Sequence, residues 1–169
     1  LRSRYSPYST ELVDINDMRT EKIKANFTKM HGCGNDYIYF DCFQHDINNP
    51  EALSVRLSDR HYGIGGDGVI LVCPSDVADG KMRMFNLDGS EGKMCGNGIR
   101  CVGKFLYDHG LVDPAKEKIT VETLSGIKTL WPIYNDRKVC AMKVDMGKAE
   151  LTPALIPVDL SLIHISEPT

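Results

Sequence analysis

Only one stretch of this chain repeats its apolar residues at helical spacing over several turns. It runs through Ile99, Val102, Phe105 and Leu106 and is closed by Gly110. That period predicts a helix of about three turns, with Asn97 or a glycine near the N-cap and Gly110 at C′. The flanking sequence reads as strand and turn. Phe27–His31 and Asp36–Cys42 cluster β-formers around a Gly32-Cys33-Gly34-Asn35 turn. Asn49-Pro50 opens a short helix through about Arg60, with Pro50 at its first position. Val69–Cys73 is a continuous apolar run between Gly68 and Pro74, hence a buried strand. Lys81–Asn86 alternates, with Met82, Met84 and Asn86 on one face and Arg83 and Phe85 on the other. Ile119–Leu124, Ile127–Tyr134 and Lys138–Asp145 predict three more strands, separated by Ser125-Gly126 and Asn135-Asp136 turns. One long helix with strands on both sides predicts an α/β fold of the α+β type. An antiparallel-rich sheet or barrel wrapped round a central helix fits that order better than repeated β–α–β units.

The same helix start carries the chemistry. Met94 to Cys101 read M-C-G-N-G-I-R-C, which puts Cys95 where unpaired N–H groups and the positive end of the helix dipole favour an anion. Such a place lowers a thiol pKa from roughly 8.5 toward neutrality. The glycines leave backbone N–H groups open to a carboxylate or phosphate. A lone cysteine is more often a buried structural thiol; the flanking glycines tip Cys95 toward a reactive role, whereas Cys101, inside the helix, keeps the structural one. The run Gly63-Ile64-Gly65-Gly66-Asp67-Gly68 satisfies G-x-G-x-x-G in form, but a dinucleotide site needs a strand before the turn and a helix after it. Here the order is reversed, so a tight loop is expected instead. Three loops pair Asn with Gly: residues 32–36, 86–91 and 95–98. Each alone reads as a turn, and together they can converge on one polar small molecule. His31 and His61 qualify for acid–base work by residue type and are expected to be structural.

Composition narrows the partners. With 169 residues, 42% apolar and 25% charged, the chain has the make-up of a globular domain with a real core. A net charge of −3 gives no electrostatic reason to expect nucleic acid, and no apolar run is long enough to span a bilayer. The six cysteines form no C-x-x-C pair and match no zinc spacing, so reduced thiols in a cytoplasmic setting, without metal, are expected. Residues 1–26 are polar without a clear period and are expected to form an N-terminal extension without fixed structure, Met18 being a candidate start. Residues 160–169 are expected to be an atypical tail left by truncation, and the chain to be a fragment.

Four separated motifs are specific enough to place the sequence. Phe27–Asp41 (FTKMHGCGNDYIYFD), Arg60–Gly68 (RHYGIGGDG), Phe85–Glu91 (FNLDGSE) and Cys95–Cys101 (CGNGIRC) together resemble the N-terminal half of diaminopimelate epimerase, over residues 27–159. The resemblance implies one of two pseudo-symmetric domains. It also implies epimerisation of LL- to meso-diaminopimelate with no cofactor, using one cysteine from each domain. It makes Cys95 the first-domain cysteine. It makes Gly96 and Asn97 the groups that hold substrate at the helix start, with Asn35 and Asn86 as substrate-contacting asparagines. Some members carry a contacting Gln where this chain has Gly68, so that contact is not transferred. A homodimer of the full-length protein is expected on the same ground. The rivals are another cofactor-independent racemase of this fold, for instance one acting on proline, and a non-catalytic fragment that binds a small anion.

Overall fold

The computed structural model describes residues 13–17, 20–149, 151, 152, 155 and 156. In chain order, β1 (Val13–Asp17) and β2 (Thr20–Ala25) are followed by β3 (Phe27–Gly32), β4 (Asn35–Asp41) and helix α1 (Pro50–Ser58). Then come β5 (Gly68–Cys73), β6 (Gly80–Asn86), the short β7 (Glu91–Gly92) and helix α2 (Gly96–Asp108). Three strands close the series: β8 (Ile119–Glu122), β9 (Lys128–Asn135) and β10 (Lys138–Val144). Within the expected N-terminal extension, β1 and β2 pair antiparallel with each other and stand apart from the main sheet. The tail at 160–169 lies outside the described residues.

The main sheet has the order β10-β9-β8-β6-β5-β4-β3, with β7 on β6. Most neighbours are antiparallel, as the strand-rich sequence predicts, but β4–β5 and β6–β8 are parallel. Each parallel pair is joined by a crossover that contains a helix, α1 in the first and α2 in the second. Helix α2 touches β3 at one edge of the sheet and β10 at the other, so the sheet curls around it.

The core follows from strand alternation. Tyr39, Ile70, Val72, Met82 and Met84 face inward onto Ile99, Val102, Phe105 and Leu106 of α2. Ile38, Phe40, Val69, Leu71 and Phe85 face outward onto Leu53 and Leu57 of α1. Central strand β5 is thus covered on both sides, which is why its sequence is an unbroken apolar run. The four α2 residues are at most 1% exposed, and each such burial contributes about 1.5–3 kcal/mol. Lys104 enters this interior with its charge satisfied, donating to Val139 O at 2.6 Å and pairing with Asp108 at 2.8 Å.

Candidate active site

The N-cap of α2 is Cys95 itself, where the sequence pattern had pointed to Asn97 or a glycine. Its extended backbone (φ −125°, ψ 119°) starts the helix, and its sulfur accepts the Gly98 N–H at 3.3 Å. Sulfur therefore takes the place an oxygen usually fills at this position. Gly98 is consequently not open to a ligand, and it serves packing instead: a Cβ there would lie 2.7 Å from Ile70 Cδ1. Among the described residues, the N–H groups of Gly96 and Asn97 have no protein acceptor and remain available at the helix end. Gly110 has φ +65° just beyond the C-cap His109, as its place after the apolar period requires.

Strand β4 brings the second component. A two-residue turn with positive φ at Cys33 (56°) and Gly34 (88°) joins β3 to β4. Gly32, at the foot of this turn, packs against the start of α2, where a Cβ would lie 3.0 Å from Asn97 O. Asn35 then meets Cys95, its Oδ1 accepting from Sγ at 3.2 Å. The sulfur thus has an acceptor for its proton and a donor for its lone pair, so both protonation states find a partner. Tyr37, two residues on and on the same strand face, bears on both Asn35 and Cys95. Burial first, then Cys95, pushes its phenol above the ordinary value. Burial likewise raises the Cys101 thiol, which sits 3% exposed in the core as a structural cysteine should.

Asn97 is tied at its Oδ1 to Arg100 at 2.5 Å, and the same guanidinium reaches Gly96 O at 3.0 Å. Asn86 lies apart, across from Gly68 in the β5–β6 register, with its Nδ2 on Ser90 Oγ at 2.9 Å. No hydrogen bond among the described residues joins it to Cys95. Asn35 thus meets Cys95 directly, with Gly96 and Asn97 following it in the helix start, while Asn86 stands on β6 across from Gly68, which packs against the Tyr37 ring. His61 is exposed after α1, and His31 lies in β3 opposite Asp36.

The glycine loop at 63–68 binds no phosphate-like cradle. Its amides turn back on α1, Gly63 to Asp59 O, Gly65 to Leu57 O and Gly66 to Ser58 O, at 2.9–3.0 Å. These three amides satisfy the end of that helix, and the Asp67 N–H goes to Asp36 O at 2.7 Å. The loop also delivers Asp67, whose Oδ2 accepts from Asn35 Nδ2 at 2.7 Å and from Asp36 N at 3.0 Å. Arg60 closes the arrangement on Asp36 (2.7 Å) and Asp67 (3.0 Å), with Lys29 also on Asp36 at 2.7 Å. Residue type and local pattern do not reveal Tyr37, Asp67 or Arg100 as part of the site. The one available signal is the two-residue strand period that puts Tyr37 beside Asn35.

Partial burial opposes ionisation of Asp36, yet Arg60 and Lys29 hold its carboxyl down to about 2 from 3.8. The folded value is below the unfolded one, so the stabilisation is complete above about pH 4 and is lost as pH falls through about 2. Urea unfolding should therefore find Asp36→Asn less stable than wild type by about 1 kcal/mol at pH 6, the exposed Arg60 arm being screened. The gap should narrow between pH 4 and pH 2; a constant gap would count against the pairing.

A family model described as diaminopimelate epimerase matches residues 27–152. The diaminopimelate epimerase of Desulfovibrio desulfuricans is 54% identical over 136 residues, covering 80% of this chain and 47% of that protein. That of Methanococcus maripaludis is 59% identical over 132 residues, covering 78% and 47%. The chain spans about half the length of these curated relatives. Among solved structures, a methylitaconate-delta-isomerase is similar with a TM-score of 0.56 at 17% identity, over 68% of this chain and 36% of that one. A hydroxyproline epimerase from Agrobacterium vitis, crystallised with trans-4-hydroxy-L-proline, has a TM-score of 0.55 at 15% identity, over 70% and 40%. At such identities the likeness speaks for the fold alone. No described helix is long and apolar enough to cross a membrane. From β3 to the residues beyond β10, in motif order and at more than half identity, this chain belongs to the diaminopimelate epimerase family.

Proposed function

We propose that this chain supplies one wall of a diaminopimelate epimerase, with Cys95 as the acid–base group on that wall. The observation that carries the reading is the sulfur at the start of α2, set between Asn35 Oδ1 and the Gly98 N–H and beside the free N–H groups of Gly96 and Asn97. Epimerisation removes a weakly acidic α-proton from one face of a carbon and returns one to the other. A single base cannot reach both faces of a held carbon, so two groups on opposite sides are required. A thiol suits because its proton affinity can be matched to working pH. When the α-proton leaves, negative charge spreads toward the substrate carboxylate, and the Gly96 and Asn97 N–H groups are set to hold it. The electron pair stays on the carbanion-like carbon until a second acid protonates the opposite face.

In this reading residues 27–152 form the first domain, and the second acid–base group comes from a further domain like that of the longer relatives. No cofactor or metal takes part, and a homodimer and a cytoplasmic site of action belong to the same proposal. The test joins this chain after residue 152 to the C-terminal half of the Desulfovibrio relative and follows LL-to-meso interconversion in deuterium oxide. The joined protein should interconvert the isomers and place deuterium at the α-carbon, whereas the chain alone should give no measurable turnover. Robust turnover by the chain alone would defeat the need for two walls. A folded but inert joined protein would defeat the assignment.

A further inference from the structure

Asn35 presents a choice that its own side chain cannot settle. An amide has a donor end and an acceptor end of nearly equal shape, and either can be turned to a sulfur. Asp67 removes the choice. It stands 32 residues away in sequence, at the end of the glycine loop, and its Oδ2 takes the Asn35 Nδ2 at 2.7 Å. The same oxygen accepts the Asp36 N–H at 3.0 Å, and the other oxygen is paired with Arg60 at 3.0 Å. A carboxylate only accepts, so the amide nitrogen must face it and Oδ1 must face Cys95 Sγ, 3.2 Å away. We infer that Asp67 is a positioning residue for the Cys95 thiol, acting through Asn35 by fixing which end of its amide meets the sulfur. This rests on Cys95 being the acid–base group of the site.

The orientation has a chemical consequence. An oxygen facing the sulfur accepts the thiol proton and offers the thiolate no hydrogen bond, which keeps the thiolate a strong base. The reversed amide would put an N–H on the sulfur, stabilise the thiolate and weaken it as a base. The titratable groups that bear on Cys95 are Tyr37 and Tyr39 from β4 and Cys101 from its own helix, and burial raises all three. Arg100, at the helix start, is occupied by Asn97 and Gly96 and also reaches the Cys33 sulfur of the β3–β4 turn at 3.6 Å.

The experiment follows iodoacetamide alkylation of Cys95 against pH in this chain, with the modified peptide read by mass spectrometry. It reports on the sulfur whether or not the thiol ever takes an α-proton, so its failure is distinct from failure of the epimerase reading. In Asp67→Ala the midpoint should move roughly one pH unit lower, because nothing then prevents Asn35 from turning its N–H to the thiolate. In Asp67→Asn the Asp36 N–H, which shares the oxygen that takes Asn35, holds the new amide's oxygen toward Asn35, and the pairing with exposed Arg60 is lost, so the wild-type midpoint should be kept. In an Asn35→Ala background, Asp67→Ala should leave the midpoint where it is. Equal movement in Asp67→Asn and Asp67→Ala would mean that Asp67 acts by charge alone and would overturn the inference. So would an unmoved midpoint in Asp67→Ala, or the same movement with Asn35 already removed. If circular dichroism shows that the alanine variant does not fold, amide exchange in the wild-type chain decides. The Asn35 side-chain NH2 should then exchange at least about tenfold slower than that of exposed Asn48, and equal rates would overturn the inference.

Discussion

Replacing Cys95 by alanine in the joined, full-length protein should abolish solvent-deuterium exchange of the α-proton from at least one diaminopimelate isomer, a loss of about a thousandfold or more. General acid–base groups typically contribute 10²–10⁴-fold; of the other thiols near the start of α2, Cys101 is buried in the core and Cys33 is exposed in the β3–β4 turn with its sulfur on Arg100 at 3.6 Å. The residue has a second role that must be separated from the first. Its sulfur caps α2 through the Gly98 N–H, so Cys95→Ala should also cost about 1 kcal/mol of stability. Cys95→Ser separates the two effects. A serine hydroxyl is a preferred N-cap and should hold the stability near wild type, yet its proton is far too tightly bound for it to serve as the base. Both variants should therefore lose exchange, and only the alanine should lose stability. Full exchange in the serine variant would move the base elsewhere, and unchanged exchange in both would end the assignment.

What could be read from the sequence is what depends on near neighbours in the chain. The period of Ile99, Val102, Phe105 and Leu106 located α2, and the apolar run of β5 announced a strand covered on both faces. The bounds of β3 and β4 follow from β-formers on either side of a Gly-containing turn. Strand β7 has only two residues, too few for any pattern to register. The parallel β4–β5 and β6–β8 pairings depend on which strands meet after a helix crosses over, which periodicity does not encode. The site divides in the same way. Cys95, Gly96 and Asn97 sit in one short motif, and Asn35 in another. The partner that fixes Asn35 arrives from a loop 32 residues away, inside a glycine run whose form suggested a nucleotide. Asn86, grouped with the others by its Asn–Gly chemistry, is held by Ser90 and stands across from Gly68 on the neighbouring strand.

Gly68→Ala should be the most damaging small substitution in the described fold, at about 3–5 kcal/mol by urea unfolding. A Cβ at this position would lie 2.0 Å from Phe85 O and 2.9 Å from the Tyr37 ring, with φ at +155°. The carbonyl belongs to β6, the hydrogen-bonded neighbour of β5, so it cannot swing aside as a flexible side chain would. Relief requires prying two central strands apart or turning the Gly68 peptide, and overpacking alone costs about 1–3 kcal/mol before the backbone term is added. Gly126→Ala is the matched control. Gly126 has φ +89° but nothing within 4 Å of an added Cβ, so it should lose only about 1–2 kcal/mol for the left-handed conformation. Equal losses at the two positions would show that close packing at residue 68 is not what demands glycine. The damage at 68 should also reach the chemistry, because this residue directly follows Asp67 and underlies the Tyr37 ring. A residual folded population of Gly68→Ala should then alkylate at Cys95 with an altered pH profile, as expected for Asp67→Ala, whereas Gly126→Ala should keep the wild-type profile.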